Sequence, residues 1–169
     1  MTAYFGRMYQ IRYLTGIAAG LKTESNQIGY VAAMPTAEVV RGANAFALGV
    51  KSVNPDATVE VKFTNSWYDP AGEKNVAIDL LNSGCDVIGQ HVDTTAPQVA
   101  AQAKGAFAIG YNAATYDVAP QAYMTAPLSA WGSYYTAEVQ KLIDGPWNSQ
   151  NSWGDQKADI VYLGELSAN

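Results

Sequence analysis

The chain has 169 residues, 49% hydrophobic and 15% charged, which is the composition of a globular domain and not of a disordered chain. Its net charge of −5 excludes a nucleic-acid backbone as the expected partner. No apolar stretch approaches the ~20 residues that a membrane-spanning helix needs. The first residues show no secretory signal pattern. The single cysteine, Cys85, cannot form an internal disulfide, and we expect it to be a buried thiol.

Strand and helix patterns alternate along the chain. The spacing of Tyr9, Tyr13, Ile17 and Leu21 predicts a helix over 7–21 with these side chains on one face. The other predicted elements are strands at 28–33, 58–64, 86–89, 106–110, 121–125 and 159–163, and helices beginning near 35, 69, 95 and 131. The alternation predicts an α/β fold with a doubly wound parallel sheet in a three-layer α/β/α arrangement.

Candidate site residues follow the predicted strands, at the sheet edge where doubly wound folds bind ligands. They are Met34, Trp67, His91, Asp93, Tyr111 and Asn112. Aromatic rings with a few polar groups suit a flat, polar small molecule, because stacking supplies affinity and hydrogen bonds supply orientation. Trp67 fits either this role or ordinary packing beneath a loop.

The lone histidine, His91, has two equally weighted interpretations, a hydrogen bond to a ligand or a structural role. A catalytic role is disfavoured because the sequence contains no recognisable nucleophile motif. A metal site is disfavoured because one histidine and scattered carboxylates rarely form one. The phosphate-binding and dinucleotide-binding glycine motifs are also missing. We therefore assign no catalytic residue, no metal ligand and no cofactor.

Several longer motifs, in a consistent order, cover essentially the whole chain. They are Arg7-x-Tyr9-x-x-Arg12-Tyr13-Leu14-x-Gly16, Gly29-Tyr30-Val31-Ala32-Ala33-Met34-Pro35, Glu38-Val39-Val40-Arg41-Gly42, Trp67-x-Asp69-Pro70, Gly84-x-Asp86-Val87-Ile88 and Gln90-His91-x-Asp93-x-Thr95-Ala96-Pro97. Together they resemble the basic membrane protein family of solute-binding lipoproteins.

The resemblance implies a type I periplasmic-binding-protein fold, in which two α/β lobes close over a ligand. On this template, residues 27–124 form the second lobe and 156–169 its return strand, while 1–26 and 125–155 belong to or pack on the first lobe. The resemblance also implies a purine base or nucleoside ligand, a membrane ABC permease as partner, and a periplasmic or cell-surface lipoprotein location. Trp131 is expected to contribute to the wall of the ligand site.

Two departures from the resemblance favour a free base over a nucleoside. Nucleoside-binding members carry a lysine where this chain has Ser129, and aspartates where it has Asn112 and Ala114. Lysine and aspartate suit ribose hydroxyls. The alternatives are a ligand-sensing regulator of the same fold and, less favoured, a flavodoxin-like enzyme. The isolated chain is expected to need the missing first-lobe segment, or to self-associate through the apolar faces of the helices at 7–21 and 131–143.

Overall fold

A five-stranded parallel sheet forms the centre of the structure, a computed structural model that describes residues 3–169. The strands are β1 Tyr4–Gly6, β2 Gln27–Ala32, β3 Thr58–Phe63, β4 Val87–His91, β5 Phe107–Ile109, β6 Tyr123–Thr125, β7 Pro127–Ser129, β8 Ser152–Gly154 and β9 Val161–Leu163. The helices are α1 Met8–Lys22, α2 Ala37–Val53, α3 Pro70–Asn82, α4 Ala96–Ala103 and α5 Trp131–Asp144. The central sheet has the order β3-β2-β4-β5-β6, and every pairing in it is parallel.

Helices cover both faces of this sheet. Side chains of α1 and α2 pack on one face, around the fully buried Phe46 and Tyr30. Side chains of α3 and α4 pack on the other, around Leu80 and Ile88. The arrangement confirms the predicted doubly wound, three-layer α/β/α fold. Cys85 is buried as a free thiol, as predicted.

Helix starts follow the capping residues closely. Thr36 accepts the N–H of Val39 at the start of α2, and the Asp69 carboxylate accepts that of Gly72 at the start of α3. At the start of α4, Thr95 is the N-cap residue but its side chain makes no capping hydrogen bond, and the hydroxyl of Thr94 accepts the N–H of Ala96 instead.

Helix α1 lies where predicted, but it packs on α2 through a different face from the predicted apolar one. Tyr13 and Leu21 are exposed. The buried residues are Met8, Ile11, Arg12, Thr15, Gly16, Ala19 and Gly20. Glycines bring the backbones of α1 and α2 into direct contact, since a Cβ on Gly16 would lie 2.1 Å from the carbonyl oxygen of Phe46. Backbone proximity, and not large apolar side chains, therefore sets this interface.

The remaining segments form two small sheets beside the central one. Strands β1 and β8 pair in parallel, and β7 and β9 pair antiparallel. The sequence patterns did not predict β1, β7 or β8, which lie outside the central sheet. Helix α5 follows β7 and buries none of its residues. The division of the chain between two lobes stays a prediction.

Candidate ligand site at the sheet edge

The sheet changes winding direction between β2 and β4, so the helices that follow these strands lie on opposite faces. Such a switch point leaves a crevice at the carboxyl ends of the strands. Ala32, the last residue of β2, pairs with His91, the last residue of β4. The crevice therefore opens directly above His91.

A cleft of about 170 Å³ lies beside this switch point, and we call it the edge cleft. It is lined by Phe5, Gly6, Met8, Glu38, Tyr111, Asn112, Ser129 and Trp131. These residues come from β1, the first turns of α1, α2 and α5, the loop after β5, and the end of β7. For comparison, an engineered cavity of roughly 150 Å³ holds benzene. The edge cleft is thus of the right order for one flat ring system.

His91 lies beneath the edge cleft and is fully buried. Its Nδ1 lies 3.4 Å from the hydroxyl of Tyr30, and its Nε2 lies 3.1 Å from the Glu38 carboxylate, although not along the line of a hydrogen bond. Burial, together with the positive charge of Arg12, lowers the pKa of His91 to about 4. The ring is therefore neutral at physiological pH, and it packs between Trp67 and Tyr111.

Glu38 stands in the first turn of α2 and is the only carboxylate that lines the edge cleft among the described residues. Burial alone would raise its pKa. The contact with His91 and the charges of Arg12 and Arg41 outweigh burial, so the net pKa of Glu38 is below its ordinary value. The edge cleft therefore contains an ionised carboxylate.

Arg12 supplies a buried positive charge next to this carboxylate. One Nη donates to the carbonyl oxygen of Gln90 at 2.9 Å, and the guanidinium lies 4.8 Å from the ring centre of Tyr111. Within residues 3–169, its Nε and other Nη have no hydrogen-bond partner and no carboxylate forms an ion pair with it. The charge of Arg12 nevertheless lowers the pKa of Glu38, without an ion pair between the two side chains.

Three of the seven residues predicted for the site line the edge cleft, namely Tyr111, Asn112 and Trp131. His91 lies below it, and Trp67 contacts His91 from the side at a ring distance of 6.0 Å. The structure thus brings five of the seven into one neighbourhood.

The other two predicted residues lie elsewhere. Met34 packs against the core beneath α3 and α4. Asp93 is exposed and lines a separate shallow surface beside Tyr68 and Lys74. The loop that carries Asp93 is held by Glu73, whose buried carboxylate accepts the hydroxyl and backbone N–H of Thr94. Roles in ligand binding for Met34 and Asp93 stay predictions without a contact that supports them.

Sequence reasoning missed Glu38, Phe5 and Met8 as site residues. Glu38 had a usable signal, because it stands in the first helical turn after β2, directly at the switch point. Phe5 and Met8 had none, since their positions depend on the small β1–β8 sheet.

Among residues 3–169 no group of three or more histidine, cysteine or acidic side chains is placed to hold a metal ion. None of the helices formed by these residues is long and apolar enough to span a membrane.

The sequence profile described as ABC transporter substrate-binding protein PnrA-like matches residues 1–169. The chain belongs to this family. The match agrees with the resemblance seen in the sequence motifs, and it concerns a class of proteins that bind solutes for ABC transporters.

Two relatives show how far the similarity extends. TsgA13 of Haloferax volcanii, which carries the name ABC transporter glucose-binding protein, is 41% identical over all of this chain and 43% of its own length. A purine-binding protein of Brucella abortus is 40% identical over 96% of this chain and 47% of its own length. The chain thus spans about half the length of these relatives.

A solved structure supports the fold. The solute-binding protein of an ABC transporter system from Conexibacter woesei superposes with a TM-score of 0.83 at 22% identity, over 99% of this chain and 56% of its own. At this identity the likeness concerns the fold alone, and it places the chain among type I periplasmic-binding-protein folds.

Proposed function

We propose that this chain is part of an extracytoplasmic receptor of an ABC importer, and that the receptor binds a purine base in the edge cleft and releases it unchanged. The observation that carries the proposal is the composition of the edge cleft. Aromatic rings of Phe5, Tyr111 and Trp131 stand beside the polar groups of Glu38 and Asn112. Pockets of this kind fix a small flat ligand by stacking and orient it by a few hydrogen bonds.

Two further points favour a free base over a nucleoside. The edge cleft is small, about 170 Å³, and Ser129 lines it at the position where the resemblance gives nucleoside-binding members a lysine. A serine hydroxyl cannot provide the charge that a lysine offers to ribose oxygens. The purine-binding relative from Brucella abortus is consistent with this class of ligand.

A sugar is the second candidate ligand, because TsgA13 carries a glucose-binding name at 41% identity. Aromatic rings and a carboxylate also suit a pyranose, whose hydroxyls donate to the carboxylate. The two ligand classes differ in how strongly their binding depends on stacking. A planar heterocycle stacks through both faces, whereas a sugar ring stacks less fully.

Calorimetric titration of the full-length protein that carries this chain tests the proposal. We expect binding of adenine, guanine or hypoxanthine and no binding of D-glucose. Replacing Trp131 by Ala should weaken purine binding by roughly 1–3 kcal/mol, the range for loss of one stacked base. Trp147, which lies outside the edge cleft, provides the matched control, and Trp147→Ala should leave the affinity unchanged.

Recovery of the ligand after incubation distinguishes a receptor from an enzyme. Mass spectrometry should return the purine unchanged in equimolar amount. Binding of D-glucose with no purine affinity would contradict the proposed ligand, and a product peak would contradict the proposed receptor role.

A further inference from the structure

The Glu38 carboxylate has free accepting capacity in the edge cleft. Its Oε2 lies 3.1 Å from Nε2 of His91, and no side chain or backbone N–H within residues 3–169 donates a hydrogen bond to Oε1. The side chain keeps 27% of its surface exposed, whereas that of His91 beside it is fully buried. An ionised carboxylate accepts about four hydrogen bonds. Most of this capacity therefore remains for a group that enters the cleft.

The surroundings keep the carboxylate in its charged, accepting form. Arg12 on α1 and Arg41 on α2 place positive charge near Glu38 and lower its pKa, and His91 beside it is neutral. The hydroxyls of Tyr30 and Tyr111 stay protonated, because burial raises the pKa of each. Glu38 therefore presents acceptors only, and a bound group that faced it with a carbonyl or ring nitrogen lone pair would be repelled.

We infer that Glu38 contacts the ligand directly and accepts N–H groups from two adjacent positions of a flat heterocycle, as on the edge of a 2-amino-6-oxopurine. This inference rests on the proposed function and narrows it. Guanine presents a ring N–H beside an exocyclic amino group. Hypoxanthine keeps the ring N–H but lacks the amino group, and adenine places a ring acceptor beside its amino group. Glu38 thus selects among purines by the donor pattern of one edge.

The test compares guanine with hypoxanthine, which differ only in the amino group that Glu38 is expected to bind. Tryptophan fluorescence of the full-length protein is titrated with each base, for the wild type, Glu38→Gln and the control Glu24→Gln. Glu24 is exposed and distant from the edge cleft. A hydrogen bond to a charged group contributes roughly tenfold or more in affinity. The wild type should therefore bind guanine about tenfold more tightly than hypoxanthine.

In Glu38→Gln the guanine affinity should fall about tenfold, and the preference over hypoxanthine should largely disappear. Glu24→Gln should keep both affinities. Equal affinity of the wild type for the two bases would overturn the inference while leaving purine binding intact. An equal loss for both bases in Glu38→Gln would also overturn it, since that result describes a residue that acts only by positioning His91. Binding of D-glucose and of no purine would overturn the inference together with the proposed function.

Discussion

Helices α2 and α5 have comparable amphipathic patterns but differ in burial. Helix α2 buries seven residues against the central sheet, Phe46 among them. Helix α5 buries none, and its apolar residues Val139, Leu142 and Ile143 are 56–71% exposed. Val139, Leu142 and the ring of Tyr4 border an apolar groove of about 610 Å³. The groove is larger than the edge cleft. Among the residues that line it only Glu138 is charged, and its carboxylate is paired with Lys141, so the groove offers no unpaired carboxylate comparable to Glu38.

Amphipathic spacing therefore identifies a helix face that packs against another surface, but it does not identify that surface. The chain spans about half the length of its relatives, and α5 lies beside the small sheets outside the central one. We therefore expect substitutions in the two helices to differ sharply in their effect on stability.

The largest expected effect comes from the core beneath α2. Phe46→Ala removes a fully buried ring that packs 5.1 Å from that of Tyr30, and it should lower the free energy of unfolding by about 3–5 kcal/mol. The matched change in α5, Leu142→Ala, should alter it by no more than about 0.5 kcal/mol, since the side chain is 64% exposed. Urea denaturation of both variants measures the contrast. Similar losses would mean that α5 is packed as tightly as α2.

Acid should destabilise the region around His91 next most strongly. In the unfolded chain the histidine takes up a proton near pH 6.5, whereas in the folded chain burial and the positive charge of Arg12 outweigh the opposing effect of Glu38 and hold its pKa at about 4. The unfolded state therefore binds more protons between these values, and stability falls as pH decreases from 6.5 to 4, by roughly 3 kcal/mol in all.

Urea denaturation at pH 7, 6 and 5 measures this slope, above the range in which the carboxylates titrate. The variant His91→Gln should be less stable at pH 7 but should lose the slope between pH 6.5 and 5. A slope that persists in His91→Gln would contradict the assignment. A histidine with the same pKa in the folded and unfolded chain would give no such slope, and the lowered pKa of His91 was not foreseeable from the sequence.

Glycine substitutions give the smallest and sharpest contrast. Gly16→Ala in α1 places a Cβ 2.1 Å from a backbone oxygen of α2, which cannot rotate away, so we expect a loss of about 1–3 kcal/mol. Gly132→Ala in α5 meets no atom within 4 Å and should stabilise the chain by about 0.4–1 kcal/mol, because alanine restricts the unfolded chain. Opposite signs in thermal unfolding support the description of the two helices, and equal signs contradict it.

The sequence predicted the fold better than it predicted the site. Alternating strand and helix patterns, with caps such as Thr36 and Asp69, were enough for the doubly wound sheet, because each element carries its own local signal. The face of α1 that packs on α2 was not predicted, because this interface uses small residues such as Gly16, which carry no hydrophobic pattern. In α4 the apolar Val99 is exposed, whereas the polar Gln98 is buried and donates a hydrogen bond to Gln90, an inversion that hydrophobic spacing does not reveal.

The candidate site was predictable only where residues follow a strand of the central sheet. Tyr111 and Asn112 follow β5 directly, so the topology places them at the sheet edge. The burial of His91 depends on Arg12 and Tyr30, which are far from it in sequence and whose approach no local pattern reveals. Phe5 depends in the same way on the pairing of β1 with β8.

A crystal structure of the full-length protein with its tightest-binding purine tests the central claim most directly. We expect electron density for the base in the edge cleft, stacked on Trp131 or Tyr111. An N–H edge of the base should lie within about 3 Å of the Glu38 carboxylate, which is the usual length of an N–H···O hydrogen bond. A purine bound instead beside Asp93, or in the apolar groove along α5, would contradict it.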